Sequence, residues 1–180
     1  VVGETFINIL EEYAYPVEEL RPFASENSKG SEILLAGKNW TVRNKGLRAE
    51  FLPDPGSEVG HDPHLLVASP SNPDILWQQN HCGIFRSTDG AKLWHDISEP
   101  EGPARFGFAI AVAQDNADHA WVCPANSDET RTGIKGALCV CRTDDGGKSW
   151  KALRNGLPQQ NCFDIVYRHG LASSGDFLAL

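Results

Sequence analysis

Apolar residues along this chain come in short runs cut by turn-forming clusters. Leu65-Leu66-Val67-Ala68 stops at Ser69-Pro70-Ser71-Asn72-Pro73-Asp74, a strong turn signal. Ile75-Leu76-Trp77 follows, then a break over residues 80–83, then Ile84-Phe85-Arg86-Ser87. An Asp-Gly turn at Asp89-Gly90 leads into Leu93-Trp94-His95-Asp96-Ile97. The pattern predicts four short strands joined by turns. A second set matches it at 108–113, 120–123, 137–142 and 150–153. No stretch after residue 30 carries a 3.6-residue period. Residues 7–20 alone read as a short helix, broken at Pro16.

The two sets belong to an internal repeat. Ala36-Gly37-Lys38-Asn39-Trp40, Gly90-Ala91-Lys92-Leu93-Trp94 and Gly146-Gly147-Lys148-Ser149-Trp150 share one pattern of small, small, Lys, any, Trp. Their tryptophans lie 54 and 56 residues apart. Upstream, Arg86-Ser87-Thr88-Asp89-Gly90 matches Arg142-Thr143-Asp144-Asp145-Gly146. Four-stranded units at this period predict an all-β chain of β-propeller blades, each an antiparallel meander. Residues 1–30 form an unassigned N-terminal segment, and 31–180 hold the blades. That length supplies an incomplete ring of about three blades, fewer than a closed propeller needs. The chain therefore reads as part of something longer.

The motif has a structural job. The Asp carboxylate accepts bonds from backbone N–H groups of its own turn. Gly supplies positive φ, the Ser or Thr hydroxyl ties the turn, and the Trp plugs the gap between strands. Ser87, Asp89, Gly90, Trp94, Thr143, Asp145, Gly146, Gly147 and Trp150 are read in these roles.

Thr143-Asp144-Asp145-Gly146-Gly147-Lys148-Ser149-Trp150 resembles the Asp-box, or bacterial neuraminidase (BNR) repeat, in full. Residues 87–94 resemble it with Ala for the second Gly, and the first copy has lost its Asp. The runs at 60–64, 70–74 and 79–83 look like bacterial exo-α-sialidase-like propellers, also labelled glycosyl hydrolase BNR repeat proteins. The resemblance implies a propeller and leaves activity open. The same repeat serves sialidases, xyloglucan-cleaving propellers and sortilin-type receptors, and fold does not settle function.

Composition narrows the partners. The 180 residues carry 16 Lys+Arg against 24 Asp+Glu, a formal net charge of −8. That balance argues against nucleic acid as a partner. No apolar run is long enough to span a membrane. The five cysteines are Cys82, Cys123, Cys139, Cys141 and Cys162. They form no C-x-x-C pair and read as free thiols filling apolar space. With no signal peptide in view, they favour a cytoplasmic location.

Topology directs the search for a site. The Asp-Gly hairpins share one end of each meander with the first-to-second turns. The opposite end collects the second-to-third hairpins and the links between blades. It carries His61, Asp62, His64, Asn80, His81, Arg105, Asp128, Arg131 and Asn161 as ligand-binding candidates. Histidines with a carboxylate suit ligand contact, acid–base work or a metal. His-x-x-His in a loop is not a zinc pattern, so neither metal nor cofactor is expected. Arg105, Arg131 and Arg168 do not make up the arginine trio motif of sialidases. The expected function is a non-catalytic scaffold binding a glycan, small ligand or protein on this link face. The alternative is a glycoside hydrolase of sialidase-like or xyloglucanase-like type, pairing Asp62 with Asp128 or Glu129.

Overall fold

The computed structural model describes Leu10, Glu12, Tyr13, residues 33–35 and 38–40, and residues 42–180. Leu10 and Glu12 are helical. The rest of the helix expected over 7–20, and nearly all of the segment 1–30, lie outside the described residues. The described chain is all-β. β1 (Ile33–Leu35) and β2 (Lys38–Trp40) pair as a hairpin. β3 (Pro63–Ser69), β4 (Asn72–Asn80), β5 (Gly83–Ser87) and β6 (His95–Asp96) form one four-stranded antiparallel meander in chain order. β7 (Gly107–Val112), β8 (Ala120–Pro124), β9 (Val140–Thr143) and β10 (Lys151–Leu153) form the next. β11 (Ala172–Ser174) and β12 (Phe177–Ala179) close as a second hairpin. These are propeller-type blades, and each four-strand set falls where the hydrophobic runs put it. Residues 163–166, though strand-like in composition, make no ladder among the described residues.

Both faces of each four-stranded sheet are apolar, and residue parity divides them. In the first blade Trp77 and Ile84 face the second blade, while Leu76 and Phe85 face back toward Leu47 and Trp94. In the second, Ile110, Val112 and Val122 meet Trp77 and Ile84. Ala109, Ala111 and Cys123 turn the other way, toward Cys162 and Leu171. Three successive apolar layers result. Each fully buried large side chain contributes about 1.5–3 kcal/mol. All five cysteines are free, and four are buried in these layers, as their reading as fillers required.

The Asp-Gly turns make the bonds their chemistry predicts. In the first, Ser87 Oγ donates to Asp89 Oδ1 at 2.8 Å. The backbone N–H groups of Lys92 and Leu93 both donate to that oxygen at 3.0 Å. In the second, Thr143 Oγ1 donates to Asp145 Oδ1 at 2.9 Å and the Ser149 N–H donates to it at 3.0 Å. Ser149 Oγ adds a bond to Asp145 Oδ2 at 2.6 Å.

The turn tryptophans tie blade to blade. Trp94 Nε1 donates to the Arg43 carbonyl at 2.8 Å, and Trp150 Nε1 to the Ile97 carbonyl at 2.9 Å. Each acceptor lies three residues past the preceding repeat's Trp. At the same end Trp77 Nε1 donates to Ala117 O at 3.1 Å. Arg86 lies over the Trp77 ring at 4.9 Å and pairs with Asp118 of the next blade. Arg142 repeats the stacking over Trp121 at 5.9 Å.

Two outcomes follow from these turns. Gly147 has φ +90, and an added Cβ would sit 2.5 Å from Ile97 Cδ1 and 2.9 Å from Ile97 Cβ. Gly147→Ala is expected to destabilise by about 2–4 kcal/mol, read from urea midpoints. The Asp145 carboxyl is held down to about 2, first by the Ser149 hydroxyl and then by the Ser149 amide and Thr143 hydroxyl. An unfolded Asp titrates near about 3.9. Its stabilising contribution is therefore full above about pH 4 and lost as pH falls toward about 2. Asp145→Asn should flatten that part of an acid-unfolding curve.

Candidate functional site

The link entering the first blade turns at Gly60, φ 93, and delivers Asp62 at the foot of β3. The β4–β5 hairpin comes up beside it, and His81 N–H donates to the Asp62 carbonyl at 3.0 Å. Asp62 just precedes β3 and His64 lies at its irregular start, and their side chains come within 3.7 Å, whereas His61 points away. His61 Nε2 instead bonds the Ser57 carbonyl at 2.7 Å. The β8–β9 hairpin is long and folds on itself, with Asn126 N–H donating to Thr132 O at 2.9 Å. It brings Asp128 over the neighbouring blade.

A side-chain cluster forms where these pieces meet. His81 Nδ1 lies 3.5 Å from Asp62 Oδ2, and its Nε2 lies 3.2 Å from Asp128 Oδ2. His64 Nε2 lies 3.7 Å from the same Asp62 oxygen. His64 Nδ1 bonds the Gly107 carbonyl at 2.6 Å. A carbonyl only accepts, so Nδ1 carries the proton and the neutral ring turns its Nε2 lone pair toward Asp62. Burial pushes the His64 pKa down, against the opposing pulls of the Gly107 bond and the Asp62 charge. Burial lowers His61 as well, with the Ser57 bond opposing it.

Aromatic rings frame the cluster. His64 stacks on Phe108, with centroids 4.4 Å apart and planes 18° from parallel. Tyr167 covers Phe108 at 4.6 Å, and Arg131 lies over the same ring at 5.5 Å. Phe51 meets His81 edge-on at 5.2 Å, and Phe106 meets it at 5.8 Å. Arg168 Nε donates to the His64 carbonyl at 3.1 Å. Phe51 and Tyr167 are about half exposed, at 51% and 47%. They offer ring surface to solvent above a polar floor. Such a floor can hydrogen-bond hydroxyls or hold a cation, and the rings can stack on a flat apolar face.

Comparison with known proteins leaves the family open. No family model matches the chain. One stretch of 42 residues, 23% of this chain, is 48% identical to the aspartate-semialdehyde dehydrogenase of Aquifex aeolicus and covers 12% of it. The Campylobacter jejuni enzyme of that name is 45% identical over 42 residues, with the same shares. The chain thus spans 12% of the length of the curated relatives it matches. Among solved structures, an ancestral GH74 enzyme superposes with a TM-score of 0.45 and 21% identity, over 59% of this chain and 14% of its own. The fold described above rests on the sheets themselves.

The candidate residues divide by place. Asp62, His64, His81, Asp128 and Arg131 come together. Asn80 is fully buried, bonding Gln78 Oε1 at 2.7 Å and accepting from Cys82 N–H at 3.3 Å. Arg105 turns to the Pro100 carbonyl at 2.8 Å. Asn161 sits exposed in a turn, φ 54. Phe51, Phe106 and Phe108 belong to the site without having been read as part of it. Phe106 and Phe108 flank Gly107 at the start of β7 with their rings 5.3 Å apart, and that spacing was their available signal. No helix among the described residues is long and apolar enough to cross a membrane.

Buried Gln79 holds the frame. Its Nε2 donates to Gly83 O at 3.2 Å and to Arg105 O at 2.9 Å, joining hairpin to link. Gln79→Leu leaves those carbonyls unsatisfied. It should cost about 1–3 kcal/mol in urea unfolding and shift the His81 and Phe106 NMR resonances.

Proposed function

We propose that this chain supplies Asp-box blades to a propeller scaffold that binds a glycan on the link face without hydrolysing it. The carrying observation is the half-exposed pair Phe51 and Tyr167 beside Asp62, His64, His81 and Asp128. Aromatic rings stack on the C–H faces of sugars, and the carboxylates and imidazoles accept and donate to hydroxyls. The bond pattern of the two Asp-Gly turns supports the Asp-box reading of the blades.

One observation favours the hydrolase alternative. Asp62 and Asp128 share this face, and a glycosidase needs two carboxylates. Against it, the His81 ring stands between them, one nitrogen toward each. A catalytic pair instead brackets the scissile bond across an open gap. Asp62 and Asp128 are better placed to orient His81 than to attack a glycoside.

A glycan array on the purified protein tests the binding reading, alongside a panel of fluorogenic glycosides. Binding should weaken about 2- to 12-fold in Tyr167→Ala and again in Phe51→Ala, with no glycoside turned over. Turnover abolished by Asp62→Asn would replace the scaffold with the enzyme.

A further inference from the structure

We propose that Asp62, His64 and His81 form a binding site for a divalent transition-metal ion, Zn2+ by ligand chemistry. One ligand atom from each residue lies within 4.8 Å of the other two. The Asp62 oxygen is 3.7 Å from His64 Nε2 and 3.5 Å from His81 Nδ1. Ligands about 2.0–2.1 Å from a tetrahedral zinc stand roughly 3.4 Å apart. Two edges of the tetrahedron are therefore nearly in place. His81 sits on a hairpin tip and is a quarter exposed, so its ring can swing in to complete the third.

The outer atoms carry the argument further. His64 turns its other nitrogen to a fixed acceptor, the Gly107 carbonyl, and His81 Nε2 lies 3.2 Å from the Asp128 carboxylate. Metal-bound histidines are held in this way, and the outer bond sets the tautomer that frees the ligating lone pair. An Asp62 carboxylate oxygen and one ring nitrogen each of His64 and His81 thus converge on one point.

Two imidazoles and a carboxylate fit zinc and other divalent transition ions better than calcium or magnesium, which take oxygen donors, or copper(I), which takes sulfur. Three protein ligands leave a fourth position for water or a bound group. The proposal stands whether or not this face binds a glycan. The spacing His-x-x-His did not suggest it, because the ligands are not that pair: His61 faces Ser57, and the second histidine comes from the β4–β5 hairpin.

The test uses the purified protein, stripped with chelator and titrated with ZnCl2 by calorimetry and with CoCl2 by visible absorption. One ion should bind per chain with Kd of about 1 µM or tighter, and cobalt should give the d–d bands of a tetrahedral site. Asp62→Ala and His81→Ala, both partly exposed and checked for fold by circular dichroism, should lose more than about 100-fold in affinity. Asp128→Asn keeps the ligands and should weaken binding by about 10- to 100-fold. The proposal is overturned if the folded wild type binds neither ion, or if His81→Ala binds zinc as tightly as wild type. It is equally overturned if the His64 and His81 ring 15N shifts are unmoved by added zinc.

Discussion

Each blade has apolar residues on both of its faces, and the rest of the structure depends on that. A sheet with one greasy face can meet solvent on the other, but these cannot. Trp77 and Ile84 need the second blade, while Leu76 and Phe85 need the segment around Leu47 and Trp94. Stacking is therefore obligatory, and the layers order themselves by residue parity alone. The polar groups are driven to the two ends of the strands, where the backbone turns and water reaches it. One end is occupied by the Asp-Gly turns and their interblade ties. The other is left free for chemistry.

At that free end, distant pieces of chain are brought to one place by the meander. Asp62 arrives on a link, His81 on a short hairpin and Asp128 on a long hairpin of the next blade. Inner strand β7 contributes Phe108, which supports His64, Tyr167 and Arg131. The strand that fills the space between blades is thus the same strand that floors the site. Rigidity of the floor is inherited from the core, and variation is confined to the loops above it.

The fold was legible because its signals are local. Asp89 and Asp145 act on N–H groups within four residues, and the alternation in 75–77 or 109–112 needs no distant partner to be read. The site was legible only by topology. Asp62 and His64 are close in the chain, but nothing nearby in sequence says that His81 falls between Asp62 and Asp128. Phe106 and Phe108 look like any strand residues until the neighbouring hairpin is in place. The segment 163–166 has strand-like composition and still forms no ladder, because β-propensity reports fit to a pleated surface and does not supply a partner strand.

The indole bonds of Trp94 and Trp150 have a consequence for how such a chain grows. The middle repeat carries a plug, Trp94, for the unit before it and, three residues on, a socket, the Ile97 carbonyl, for the unit after it. A duplicated unit arrives with both halves of the joint already in register. Copies can therefore be added in tandem without inventing a new interface, while a unit cut out across its joint leaves one plug and one socket unmatched.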